Sequence, residues 1–476
     1  MPITEIRILP PIAIARLGAA TTPLAAYSLA LPEGQPLDFR RIVPQPTPEI
    51  DDKTGAIIST KVPHTIHFKE GKLIRPVAPF LEVWAVTAPD TLEPLTLDLL
   101  KQEGLDLQAV SWSIEVANHK AFRRTNDDGD KITAKIDSIT DHKSHPLLGQ
   151  AKNFLKGKTL PFGSVRFIKP TAEFPGIRLR FTPAGGHVYG ARDKRATAEE
   201  TTSTGTTYTY ECDPVLTPER IIYDETKPWC GYKEPGSPLL AAASLTNPGA
   251  IYAGYLDPSD NQVSWGYLDD ACDGLISIEL VRKGNKRPLK ASAHVSSGPP
   301  TFVPDAIPIR TTADEFAQIF HGPVINPDEE VPIEEALEIV RRSLDTIRQL
   351  NTAVMNGNPV NGRLDVASTM VRQDSGDFGR LFAPIAAVSL VDQSAVRTLH
   401  ERVFTALSSG SAPWFAHVLR MPEEIGDMTD QARRKMPAMM RGADGRMLCL
   451  TRRQIQQIIR AASGALFQPA TQPPLA

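Results

Sequence analysis

The sequence predicts an α+β protein: a large β-rich N-terminal body followed by a mainly helical C-terminal lobe. Two observations carry that expectation. Up to about residue 300 the apolar residues alternate with polar ones in short runs, the period of half-buried strands. From about Thr311 the apolar spacing changes to three and four, the period of amphipathic helices. The expected division is a body over 1–305, a helical lobe over 306–467 and a loose tail over 468–476, which holds three prolines.

The strands are legible one by one. Ile6 to Ala15 is an apolar run interrupted by Pro10-Pro11, and alternation over Ile12, Ile14 and Leu17 reads as a first strand. Glu5, Arg7 and Arg16 spoil the resemblance of this run to a secretion signal. Phe80–Val86 is a short, nearly continuous apolar run, and Val110–Val116 alternates for seven positions. Ile177–Phe181 alternates and runs into Pro183-Ala-Gly-Gly186, a turn in which glycine permits positive φ. The Thr-rich stretch Thr197–Tyr210 reads as a surface loop or hairpin, and Leu275–Val281 as a further strand. Gly274 is expected in a left-handed conformation at the turn that precedes it.

In the lobe, Thr312 is expected to cap a helix running through Phe320. Pro332 suits the first position of a longer helix with a stripe of Ile333, Leu337, Val340, Leu344, Ile347 and Leu350, ended by Asn356-Gly357. Val396–Leu407 is amphipathic. A last helix from Thr451 shows Ile455, Ile458, Ile459 and Ala462 on one face and stops at Gly464.

Composition narrows the function. Lys and Arg number 52 against 55 Asp and Glu, so there is no basic excess to neutralise phosphates, and nucleic acid is not an expected partner. No apolar run reaches the length of a membrane-spanning helix. Cys212, Cys230, Cys272 and Cys449 show neither a C-x-x-C spacing nor a disulfide framework, which favours a reduced, cytoplasmic setting.

Signatures of nucleotide binding, serine hydrolysis and zinc proteolysis are absent. His64/His67 and His142/His145 have ligand-like spacing, but each pair lies in a polar, loop-like setting beside a proline, so exposed loop histidines are the simpler reading and no metal is expected. Asn126–Asp130 resembles part of a calcium loop without its closing glutamate, and reads as a turn. The richest cluster is Trp265–Gly274, which places Trp265, Asp269, Asp270, Cys272 and Asp273 within ten residues. A carboxylate held away from water can act as a general base, and a tryptophan near a thiol can be crosslinked to it. A turn between strands, in which the Asp side chains bond nearby backbone N–H groups, explains every residue of the cluster except Cys272, most simply a small buried hydrophobe.

Six segments, in order, resemble the L-lysine ε-oxidase and glycine oxidase family, whose members use cysteine tryptophylquinone built from their own side chains. They are Ile8–Gly18, Val110–Ala121 with its Trp112, Asn118 and Lys120, Ile177–Gly190 with Gly185-Gly186, Trp265–Gly274, Val295–Pro304, and Leu450-Thr451 with Gln454, Gly464 and Phe467. The family places its quinone-bearing cysteine and tryptophan after the last of these segments. Here nine residues follow Phe467, with neither Cys nor Trp among them, and the glycine of the first segment is Ala13. Trp414 precedes Cys449, the reverse of the family order. The resemblance therefore implies either a non-catalytic or partner-dependent relative, acting as scaffold or binding subunit, or an amine or amino-acid oxidase. In the oxidase, the quinone comes from a second subunit carrying the missing region, or from an atypical pair such as Trp265 and Cys272, with Asp269, Asp270 or Asp273 as base.

Overall fold

The computed structural model describes residues 3–31, 40–191, 198–201, 205, 207–210, 216–224, 255–256, 262–263, 267–282, 284, 287–300, 304–326, 328–329, 331–346, 394–408, 417–425, 427, 429–433, 435–437 and 449–465. Trp265, Cys212, Cys230, Trp414, the Ile347–Gly357 end of the expected long helix, Phe467 and the tail lie outside the described residues. The chain is β-rich, with several sheets and a few helices, and its contacts divide it into two compact units. One comprises Met1–Tyr27 with Pro44–Thr301, and the other Ser28–Val43 with Phe302–Ala476.

The first unit is organised by two sheets whose eleven strands are β1 (Glu5–Leu9), β2 (Ile12–Arg16), β3 (Phe80–Ala88), β4 (Thr91–Pro94), β5 (Val110–Asn118), β6 (Ile132–Ile139), β7 (Ser144–Gly149), β8 (Leu160–Ile168), β9 (Arg178–Pro183), β10 (Asp273–Leu280) and β11 (Leu289–Gly298). One sheet runs in the order β1-β3-β9-β8-β7, with β4 paired to β3; the other runs β6-β5-β10-β11-β2. All of these pairings are antiparallel except β2 with β11. Burial along β3 and β5 alternates as their sequences do, and one apolar core takes Leu81, Val83 and Ala85 from β3 together with Val110, Trp112, Ile114 and Val116 from β5. The Thr-rich stretch contributes a hairpin, Ala198–Thr201 against Thr207–Tyr210.

The N-terminal run departs from expectation. It makes two strands that enter different sheets, and in β2 the buried side chains are Ala13 and Ala15, continued by Leu17, while Ile14 is exposed. Ile6 and Ile8 of β1 join the same core, so the small side chains of β2 face a space that larger neighbours already enter.

The second unit contains helices Thr312–His321, Ile333–Asp345, Ser394–Ser408 and Arg452–Ala465. The cap of the first is Thr311, not Thr312: its hydroxyl accepts from the Asp314 N–H at 3.2 Å while Asp314 accepts from the Thr311 N–H at 2.7 Å. Pro332 stands one residue ahead of its helix, at the cap. That helix packs against both Ser394–Ser408 and Arg452–Ala465, so its buried face, Ala336, Ile339, Val340, Ser343 and Leu344, is broader than and rotated from the predicted stripe. The last helix buries Ile455, Ile458, Ala461 and Ala462. Its Leu450-Thr451…Gln454 start is a reciprocal cap: Thr451 accepts from the Gln454 N–H at 3.0 Å, and the Gln454 side chain accepts from the Thr451 N–H at 2.9 Å. Buried Arg40 joins this unit through ion pairs to Glu338 and, at 2.6 Å, to Asp345.

Among the described residues, no helix is long and apolar enough to cross a membrane.

Candidate functional site: a carboxylate junction

Five of the six segments singled out in the sequence meet in the first unit. The short strand Leu268–Asp269 pairs with Val188–Ala191, and after three intervening residues the chain enters β10. Asn118, at the end of β5, donates from Nδ2 to the carbonyls of Asp269 at 3.0 Å and Ala271 at 2.9 Å, and accepts from the Lys120 N–H at 2.9 Å. Lys120, the first residue of helix Lys120–Thr125, places its ammonium 2.5 Å from each carboxylate oxygen of Asp269. Asp270 turns the other way and accepts from the Gly186 N–H at 3.1 Å and the His187 N–H at 3.0 Å. Gly186 has a φ of +77°, which aims successive amides at one carboxylate and favours glycine there.

The first and fifth segments close the junction. Leu17 packs with Ala184 and Ala271, and the Gly18 N–H donates to the Ala184 carbonyl at 3.3 Å. Ser297 of β11 accepts from the Cys272 N–H at 2.8 Å, and its own N–H donates to the Cys272 carbonyl at 2.8 Å.

Burial dominates the electrostatics. It pushes the Asp270 carboxyl up to about 7, with the Asp269 charge adding and the Gly186 and His187 amides opposing. Tyr189 is pushed up to about 12, first by burial and then by Asp270. Burial lowers His187, aided by Arg220. The Cys272 thiol is pushed up to about 12, again by burial, against a smaller opposing contribution from Ser297.

These contacts revise the reading of the Trp265–Gly274 cluster. Its carboxylates do not serve a local turn: Asp269 and Asp270 bind groups 149 and 84 residues away. Asp273 is exposed, its backbone paired with Ala117 and Ser296. Gly274 is not left-handed; it sits within β10 opposite Val116, where an added Cβ would lie 2.0 Å from the Glu115 carbonyl oxygen. Trp265 lies outside the described residues. Lys120, Gly186, His187 and Ser297 were missed as partners, because nothing local in a sequence pairs an Asp with a backbone amide on another hairpin.

The histidine pairs are ordinary. His64 and His67 are exposed, His142 bonds the Phe167 carbonyl at 3.1 Å, and His145 bonds Asp141 at 2.6 Å. Among the described residues no group of three or more His, Cys, Asp or Glu side chains is placed to hold a metal ion.

No protein-family model matches the chain, and no curated protein matches it. Solved structures of the L-Lys ε-oxidase from Marinomonas mediterranea are similar at 13% sequence identity, with a TM-score of 0.46. The Schiff-base intermediate of that enzyme with L-Lys gives 0.45 and a further structure of it 0.42, also at 13% identity. Each comparison covers 99% of this chain and 63% of the other, so the chain spans less than two thirds of the length of the proteins it resembles.

Proposed function

We propose that this chain is a non-catalytic or partner-dependent relative of the quinone-dependent amine oxidases, acting as a scaffold or binding subunit in a reduced, cytoplasmic setting. The observation that supports this reading is the junction itself. Asp269 is neutralised by Lys120, and Asp270 is fully buried and engaged by two backbone amides, so both carboxylates act as braces between distant segments. Cys272 and Cys449 are free thiols, as a reduced setting requires.

Cysteine tryptophylquinone needs a cysteine sulfur bonded to an oxidised tryptophan. The surroundings of Cys272 do not fit that group: the thiol is enclosed, its sulfur is 4.0 Å from the Phe162 carbonyl oxygen and 3.7 Å from Ser297 Oγ, and its raised pKa keeps it protonated and unreactive. The proposal therefore has Cys272 as a thiol packed in the apolar core, and not as half of a quinone with Trp265.

One observation favours the second reading, an amine or amino-acid oxidase like L-lysine 6-oxidase that receives its tryptophylquinone from a partner subunit. The Asp270 carboxyl, at about 7, has the proton affinity of a general base working near neutral pH. The deciding experiment is the intact mass of the native protein with a quinone-specific redox stain, on the chain alone and as isolated from its source with any bound subunit. The expected result is an unmodified mass and no staining. A mass changed by oxygen insertion and crosslinking would overturn the proposal, and staining confined to a co-purifying chain would establish the second reading.

A further inference from the structure

The helical unit encloses two nitrogen-rich side chains that take no part in the carboxylate junction. His400, on helix Ser394–Ser408, is fully buried, and among the described residues neither Nδ1 nor Nε2 has a hydrogen-bond partner. Arg420 is equally enclosed. Among the described residues its Nε and Nη1 have no partner, and Nη2 reaches the Lys435 and Pro437 carbonyls, both at 3.5 Å, the outer limit of such a bond. The arginine is held in place from its backbone: its N–H donates to the Met436 carbonyl at 2.6 Å, and the Met436 N–H donates to the Val418 carbonyl at 2.8 Å. The two groups belong to one packed region: Val403 and Leu407, on the helix of His400, share an apolar cluster with Leu419 and Met436, the neighbour and the backbone partner of Arg420. The guanidinium charge adds to burial in lowering the pKa of His400.

The surroundings leave this charge without a bonded counter-ion among the described residues. Glu424 and Asp427 act on Arg420 through space, but Glu424 is bonded to Lys435 and the Met421 N–H, and Asp427 to the Thr429 N–H. The Cys449 sulfur receives Arg310 at 3.6 Å. Val403, Phe404, Leu407, Leu419 and Met436 form the apolar core of the same unit. A buried guanidinium with free N–H groups beside a neutral imidazole, which always offers one N–H, is a donor set waiting for an acceptor that carries negative charge.

We propose that His400 and Arg420 form an enclosed binding site for one small oxyanion of the phosphate, sulfate or short-carboxylate class. Because the nitrogens have no solvent contact, the guest is small and enters as the side chains covering the pair move aside; nucleotides and polymers are excluded. The site is independent of the junction in the first unit and of the function proposed from it.

The test is thermal denaturation of the full chain at matched ionic strength in chloride, inorganic phosphate, sulfate and acetate, with calorimetric titration of inorganic phosphate. The expected result is a saturable rise of several degrees in at least one oxyanion over chloride, with one anion bound per chain. Hydrogen exchange should show the new protection on 394–408 and 417–421. Arg420→Met should abolish the response, and the milder Arg420→Lys, which keeps the charge without the planar fork, should weaken it at least tenfold. Equal melting in all four buffers, protection elsewhere in the chain, or an undiminished response in Arg420→Lys would overturn the proposal.

Discussion

The two units bury charge in different ways. In the β body, the buried carboxylates Asp269 and Asp270 find partners on segments remote in sequence, an ammonium for one and backbone amides for the other, and thereby join the ends of β5 and β9 to the strand that leads into β10. In the helical unit, Arg40 is matched by Glu338 and Asp345, whereas Arg420 and His400 are enclosed without equivalent partners among the described residues. Buried polar groups in the body thus act as cross-links, while in the helical unit one cluster carries an unmet electrostatic demand. The contrast locates the structural brace in the first unit and an open binding capacity in the second.

The largest expected effect is an opposite response to pH. In the folded body Asp270 holds its proton up to about pH 7, whereas its unfolded value is 3.8, so between these values the folded state binds the extra proton. The body should therefore lose stability as pH rises from 4 to 7, on the order of 4 kcal/mol if Asp270 acts alone. In the helical unit His400 stays neutral down to about pH 3, against 6.5 unfolded. There the unfolded state binds the extra proton, so this unit should lose a similar amount as pH falls from 6.5 toward 3. Hydrogen exchange corrected for intrinsic rates, in chloride buffer, reads the two units separately. Parallel pH responses would break the comparison, and Asp270→Asn and His400→Asn should each flatten only their own unit's slope.

Next in size is Arg40→Ala. It removes the ion pairs to Glu338 and to Asp345, whose side chain is 2% exposed, and should cost the helical unit about 3 kcal/mol. A shift of the denaturant midpoint in that unit, with the body unchanged, is the expected reading.

Lys120→Met tests the junction in the same manner. Because the Lys120 side chain is 27% exposed, water softens the loss, and the body should be destabilised by about 2 kcal/mol. Stability unchanged in urea denaturation would mean that Asp269 is not a brace and would reopen its role as a base. The smallest effect is expected for Thr311→Ala, which removes one half of a reciprocal cap and should cost about 1 kcal/mol of the helical unit. Faster hydrogen exchange in the first turn of helix Thr312–His321 is the sharper readout.

Much of the architecture was legible in advance because its signals are local. The alternation in Val110–Val116 follows from side chains projecting to opposite faces of a strand, and β5 buries every second residue accordingly. The helix starts at Thr311 and Thr451 were legible to within a residue, because a side-chain oxygen must meet an N–H that the helix cannot satisfy internally. At Ile12–Leu17 locality failed: either face of β2 could have been turned inward, and the packing of β1 and β11 around it put Ala13 and Ala15 inside. The function of the Asp269-Asp270 pair and the reason for Gly274 were also beyond local reading. Asp side chains followed by glycine carry the same local signal whether they close a turn or reach a lysine 149 residues away. Sequence by itself determined the elements, their periods and several of their ends, since these depend on neighbours within a few residues. Tertiary structure alone decided which polar groups met, because a hydrogen bond or ion pair depends on separation in space, and the fold brings together residues that the chain keeps far apart.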